Sequence, residues 1–197
     1  HRLDADLLGV GVEAFPWQQS SERLFPGETL LELQRVLDDD LHRAREIFHA
    51  KSAGLRTEWR AVETLPGPEI ARLSRAADLI VAGGAPLTHG RSYRAADTAD
   101  LVMWSGRPVL VAPPAGGRLH GEAVVVAWKD TREARRAIAD SLPLLKLAEE
   151  VLVAEVCSDE GAAYASVGTT EVVRQLQRHG VAARAKVVVT HPHGTAE

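Results

Sequence analysis

Cysteine is nearly missing. Among 197 residues there is one, Cys157. An intramolecular disulfide and a cysteine-based structural zinc site are therefore excluded, and this usage fits a reducing compartment. A basic excess is missing too. Lys and Arg number 23 against 27 Asp and Glu, a net charge of −4. Nucleic-acid binding draws on a surplus of protein cations, so a general nucleic-acid binder is disfavoured. No apolar run approaches the ~20 residues that cross a bilayer. No membrane contact is expected from the sequence, nor is a secretory leader visible. Cytoplasmic residence is the resulting expectation. The chain also lacks a strand–turn–helix nucleophile elbow of the G-x-S-x-G kind. The His89, Arg91 and Ser92 group in the loop 83–92 has no acidic partner nearby, so it reads as a polar surface loop with no catalytic role. His191 and His193 have a metal-like spacing but no third nearby ligand, so no metal site is expected.

What is present is ordinary globular material, 45% hydrophobic and 25% charged, long enough for one large domain or two small ones. The most telling segment is VVVAWKDTREARRAIADSLPLLKLAEEVLVAEV, Val124–Val156. A buried strand (Val124–Trp128) passes through a polar turn (Lys129–Thr131) into an amphipathic helix, and a second buried strand (Val151–Val156) follows. That is the crossover unit of a parallel α/β sheet, in which ligands sit beyond the strand ends. Thr131 reads as the helix N-cap. Glu133 and Arg136 read as a surface pair on that helix. Trp128, at the strand end, is compatible with packing or with stacking on a base.

Other elements follow from periodicity and punctuation. A strand is expected within Ala5–Glu13 and a long loop over Ala14–Gly27. A helix is expected over Glu28–Ala53, with Leu30, Leu33, Val36, Leu37, Leu41, Ala44, Ile47 and Phe48 on one face and a solvated acidic run at Asp38–Asp40. Gly54 stops it, and Leu55–Glu63 reads as a strand. Pro66 and Pro68 open a helix over Glu69–Ala77. Strands are expected at Leu79–Ala82 and Pro108–Pro113, with a short helix within Tyr93–Ser105. Pro114–Gly121 reads as a linker. Ser158–Val167 reads as a loop, Gly168–His179 as a helix stopped by Gly180, and Val181–Thr190 as a last strand. Ala53–Glu63 and His179–Val189 share the order helix, glycine, strand, so the second half replays part of the first.

The segments ADLIVAGG (Ala77–Gly84), SGRPVLVAPP (Ser105–Pro114) and the Val124–Val156 run, in this order, resemble the universal stress protein family in its tandem two-domain form. The resemblance implies an α/β fold of the adenine nucleotide alpha-hydrolase-like type, an open parallel sheet with helices on both faces. It implies two related halves, 1–115 and 121–197. The first would lack its opening strand and helix, the second its closing strands. It further implies a stress-response binding or regulatory protein, and homodimers or association between halves.

ATP or AMP is the cofactor that the resemblance implies. Binding members place alanine, any residue and aspartate at the end of the first strand. Here Ala127, Trp128 and Lys129 occupy those places, with Asp130 and Thr131 next. Lysine only donates, but it can meet a phosphate as a point charge. The phosphate loop of the first half would begin at Gly83 and Gly84. It is degenerate, because Pro86 has no N–H to offer and the closing pair is Ala96 and Asp97. The expected nucleotide-contacting residues are therefore Ala127, Trp128, Lys129, Asp130, Thr131, Gly83 and Gly84, with adenine nucleotide at the second half. An ATP-using enzyme of the same group and a dimerisation module without ligand are the alternatives.

Overall fold

A computed structural model describes residues 3–14, 27–63, 66–83, 97–113 and 121–190. The chain divides into two compact units, His1–Gly116 and Gly117–Glu197.

The first unit runs β1 (Leu7–Glu13), α1 (Gly27–Lys51), β2 (Thr57–Glu63), α2 (Pro66–Leu73) with a 3-10 turn (Ser74–Ala76), β3 (Ile80–Gly83), α3 (Thr98–Ser105) and β4 (Val109–Ala112). β1 lies parallel to β2, Leu7 opposite Thr57 and Glu13 opposite Glu63. β3 lies parallel to β4, Ile80 opposite Val109. Among the described residues these are two separate two-stranded sheets. Each pair is joined through a helix, as a parallel pair requires.

Local chemistry accounts for the β1–β2 pair. A Cβ on Gly9 would stand 2.6 Å from the Trp59 ring, and one on Gly11 would stand 2.7 Å from the same ring. The two glycines of β1 are therefore the bed on which the Trp59 indole lies. Phe48 from α1 meets that indole at a centroid distance of 5.5 Å. The apolar stripe of α1 is narrower than its sequence suggests. Leu37 is buried, whereas Val36, Ala44 and Ile47 are exposed. Positions 30, 33, 37, 41 and 48 hold the 3.6-residue period, and Val36 and Ile47 fall at its margin. α3 begins at Thr98 because the Asp97 side chain accepts from Ala99 N–H at 2.7 Å.

The second unit runs β5 (Ala123–Ala127), α4 (Arg132–Leu145), β6 (Glu150–Cys157), a 3-10 turn (Asp159–Gly161), α5 (Ala162–Arg178) and β7 (Ala183–Val189). Its strands form one parallel sheet in the order β5-β6-β7. Val124, Val126, Val151 and Val153 point to the helices, where Ile138, Leu145, Val172 and Leu176 complete the core. Alternation sends Val125 and Val156 to the opposite face, where both are exposed.

Gly54 after α1 and Gly180 after α5 share φ +81°. Both helices end in the left-handed conformation that glycine adopts without strain.

α5 departs from expectation. It begins at Ala162, six residues before Gly168. Glycine reads as punctuation, but Ala165, Thr169, Val172 and Leu176 form a buried stripe at helical spacing that continues through it. Burial of that stripe outweighs the ~1 kcal/mol helix penalty of one glycine. Residues 158–167 are correspondingly a short turn and the first turns of the helix.

Candidate functional site

The parallel sheet of the second unit brings the ends of β5 and β6 to one rim. Ala127 stands opposite Ala154 in register. Trp128 N–H then donates to Ala154 O at 2.7 Å, extending the ladder by one step. The chain turns sharply, with Thr131 N–H donating to Lys129 O at 2.7 Å. Thr131 is extended and its hydroxyl accepts from Ala134 N–H at 3.2 Å, so it is the N-cap that the sequence calls for. Glu133 lies 3.0 Å from Arg132, and Arg136 pairs with Asp140 at 3.5 Å.

Three site residues take different roles. Lys129 is exposed, with no ion pair among the described residues. Asp130 is fully engaged. One carboxylate oxygen accepts from Arg135 Nε at 2.9 Å and from a second guanidinium nitrogen at 2.6 Å. The other accepts from the Tyr164 hydroxyl at 3.1 Å. The Arg135 bonds, with help from Tyr164, hold the Asp130 carboxyl below its usual range. The carboxylate in turn raises the Tyr164 phenol above its usual value. The turn is thus tied to both α4 and α5.

Trp128 is only 6% exposed and belongs to the core beneath the two helices. Its place on the helix side of the sheet is not that of a stacking platform on the rim. Its indole Nε1–H has no hydrogen-bond acceptor. The ring borders a cleft of about 360 Å³ that Asp130, Arg135, Ile138 and Val172 also line.

Gly83 ends β3 in the first unit and is exposed, with open space where a side chain would stand. Gly84 lies outside the described residues, as do Pro86, Ala96, the group at 89–92 and the histidines at 191 and 193. Asp97, placed by sequence at the close of a phosphate loop, is committed to capping α3. Among the described residues no group of three or more His, Cys, Asp or Glu could hold a metal, and no helix is long and apolar enough to cross a membrane. Cys157 is a half-buried thiol at the end of β6.

Arg135 and Tyr164 escape the sequence reading. Arg135 carried a signal, since five residues separate it from Asp130 across a helix start. Tyr164 is 34 residues from Asp130 in sequence, and only the fold of α5 brings it near.

A universal stress protein from Archaeoglobus fulgidus DSM 4304 superposes at a TM-score of 0.65 with 15% identity, covering 94% of this chain and 67% of that one. The fold is of the universal stress protein type. A putative universal stress protein from Pseudomonas aeruginosa UCBPP-PA14 is similar at 16% identity and TM-score 0.45, over 95% of this chain and 76% of that one. No protein-family profile matches the sequence, and no curated protein does. At these identities the likeness concerns the backbone arrangement and leaves the site to be argued from its own residues.

Proposed function

We propose that this chain is a non-catalytic binding and regulatory protein of the universal stress type, and that its second unit takes an adenine nucleotide at the end of β5. Lys129 carries the reading. It is an exposed ammonium without an ion pair among the described residues, placed at the turn that opens the 14-residue helix α4. The first turn of a helix offers orphan N–H groups and the positive end of its dipole. Thr131 takes one of these N–H groups, that of Ala134. A phosphate beside Lys129 would meet the rest. Asp130 would oppose it less than sequence suggests, because Arg135 and Tyr164 occupy both of its oxygens. Among the described residues, the first unit shows no such supports. Asp97 is spent on a helix cap, and Gly83 stands alone.

The role in stress survival and cytoplasmic residence are carried over from the fold likeness and the single cysteine. The tandem relation of the halves is supported by the shared glycine conformation at Gly54 and Gly180. Self-association with a second copy belongs to the same reading. β5 pairs with β6 alone among the described residues, and an unpaired edge invites pairing. Val125 and Val156 stand bare on the face opposite the helices.

The test is a thermal-shift titration of the full chain with ATP and AMP, with and without Mg²⁺. Ligand at one hundred times its dissociation constant should stabilise by about 2.7 kcal/mol. Lys129→Glu should remove the shift, and ATP turnover should stay at background. No shift with any nucleotide would defeat the reading. Turnover abolished by Lys129→Glu would favour the enzyme alternative.

A further inference from the structure

We propose that the Asp130 carboxylate is a resident anion on a phosphate-binding pair, Arg135 and Tyr164, and that a phosphate group enters the β5–α4 turn by displacing it. The contact is therefore autoinhibitory. It deepens the nucleotide reading by naming how access to that site is regulated, and it rests on that reading only for the source of the phosphate.

Three donors from two helices converge on one side chain. Arg135, near the start of α4, gives Asp130 two N–H groups, from Nε at 2.9 Å and from Nη2 at 2.6 Å. Tyr164, near the start of α5, gives its hydroxyl at 3.1 Å. A guanidinium fork and a phenol facing one anion form a donor set that suits a phosphate. The resident carboxylate matches it incompletely. Both guanidinium bonds fall on the same oxygen, Oδ1, and the other oxygen is turned to Tyr164. The strong arrangement for this fork is two parallel bonds to two oxygens. A terminal phosphate can give the fork two oxygens and the phenol a third, and it brings more negative charge than one carboxylate.

The exchange costs little. The Arg135 side chain is 61% exposed and that of Asp130 30%, and Tyr164 is exposed as well. Ion pairs open to water hold their partners weakly. Asp130 stands outside α4, one residue before the Thr131 cap, so its side chain can turn away without disturbing the helix. Glu133 is bonded to Arg132, which leaves Asp130 as the carboxylate on Arg135. Lys129, the residue before Asp130, is an exposed ammonium with no ion pair among the described residues. With Asp130 in place, the turn shows an arriving anion a carboxylate and one free cation. With Asp130 displaced, the same turn offers two cations and a hydroxyl.

The experiment is a calorimetric titration of the full chain with pyrophosphate and with ATP, in wild type, Asp130→Asn, Arg135→Ala and the double variant. Circular dichroism checks the fold of each, and Asp130→Ser replaces Asp130→Asn should the latter not fold. Asp130→Asn should bind pyrophosphate about tenfold more tightly than wild type. Loss of a negative charge alone would also tighten binding, so the deciding quantity is the coupling between the two residues. Arg135→Ala should weaken pyrophosphate binding about tenfold in the Asp130→Asn background and less than about twofold in the wild-type background. Equal factors in both backgrounds, or an Asp130→Asn variant that binds no tighter than wild type, would overturn the proposal. ATP held more tightly than pyrophosphate, with the same coupling, identifies a nucleotide as the source of the phosphate. Wild type silent to ATP while Asp130→Asn binds pyrophosphate through Arg135 would sink the nucleotide reading and leave this one standing. ATP binding to wild type with equal Arg135→Ala factors in both backgrounds would do the reverse.

Discussion

Replacing Gly168 by alanine should make the protein more stable. The residue sits in the interior of α5, and its φ lies outside the positive range that only glycine tolerates well. Alanine is favoured over glycine in a helix interior by about 0.8–1.0 kcal/mol. Against that stands what the new methyl would meet. Its only neighbour within 4 Å is Trp128 Nε1 at 3.8 Å, an ordinary contact that calls for no repacking. The net expectation is a gain approaching about 1 kcal/mol. In a unit of this size that raises the melting temperature by about 4–8 °C. Calorimetry or circular dichroism on the full chain would read the shift in the transition of the second unit. A destabilised Gly168→Ala would contradict this, because it would mean that α5 packs against the Trp128 indole too closely to accept a methyl group at 3.8 Å.

In the first unit Gly11→Ala should destabilise by about 1–3 kcal/mol through overpacking, since its Cβ would stand 2.7 Å from the Trp59 ring and 2.9 Å from Leu41; chemical denaturation measures it, and an unchanged midpoint would contradict the packing described. Tyr164 should ionise above its ordinary value in an ultraviolet titration, and Asp130→Asn should bring it back down, since Asp130 is the leading cause of the shift. The sign for Asp130 runs the other way. Its folded value is lowered, so the tie to Arg135 contributes fully above the unfolded value of about 4 and is lost as pH falls through the lowered one. Finally, Val125→Asp should reduce any concentration dependence of the melting temperature, because it places a charge on the bare sheet face; sedimentation of wild type and variant as equal monomers would remove self-association from the account.

How much of this was legible in the chain depends on which physics was local. Val124–Trp128 and Val151–Val156 are short apolar runs bounded by polar turns, and they emerge as adjacent parallel strands shifted by a residue or so at their ends. Gly54 and Gly180 could be read as helix stops because a left-handed residue after a helix is a local requirement, and both have φ +81°. Thr131 could be read as a cap because its partner is three residues away. The misreadings are tertiary. Gly168 resembled a helix start, yet burial around Thr169 carried α5 straight through it. Val36 and Ile47 satisfied the helical period of α1 but found nothing to cover them. The side on which Trp128 would lie depended on strand phase. The Asp130–Tyr164 bond joins residues 34 positions apart, and only the completed crossover brings them together.

We propose that a ligand is held where β5 turns into α4. An amide-resolved NMR titration of the full chain with Mg²⁺-ATP addresses it most directly. The largest saturable shifts should fall on the backbone N–H groups from Lys129 to Arg135, and Lys129→Glu should remove them. Shifts confined to other strands, or no saturable shift at millimolar nucleotide, would contradict it.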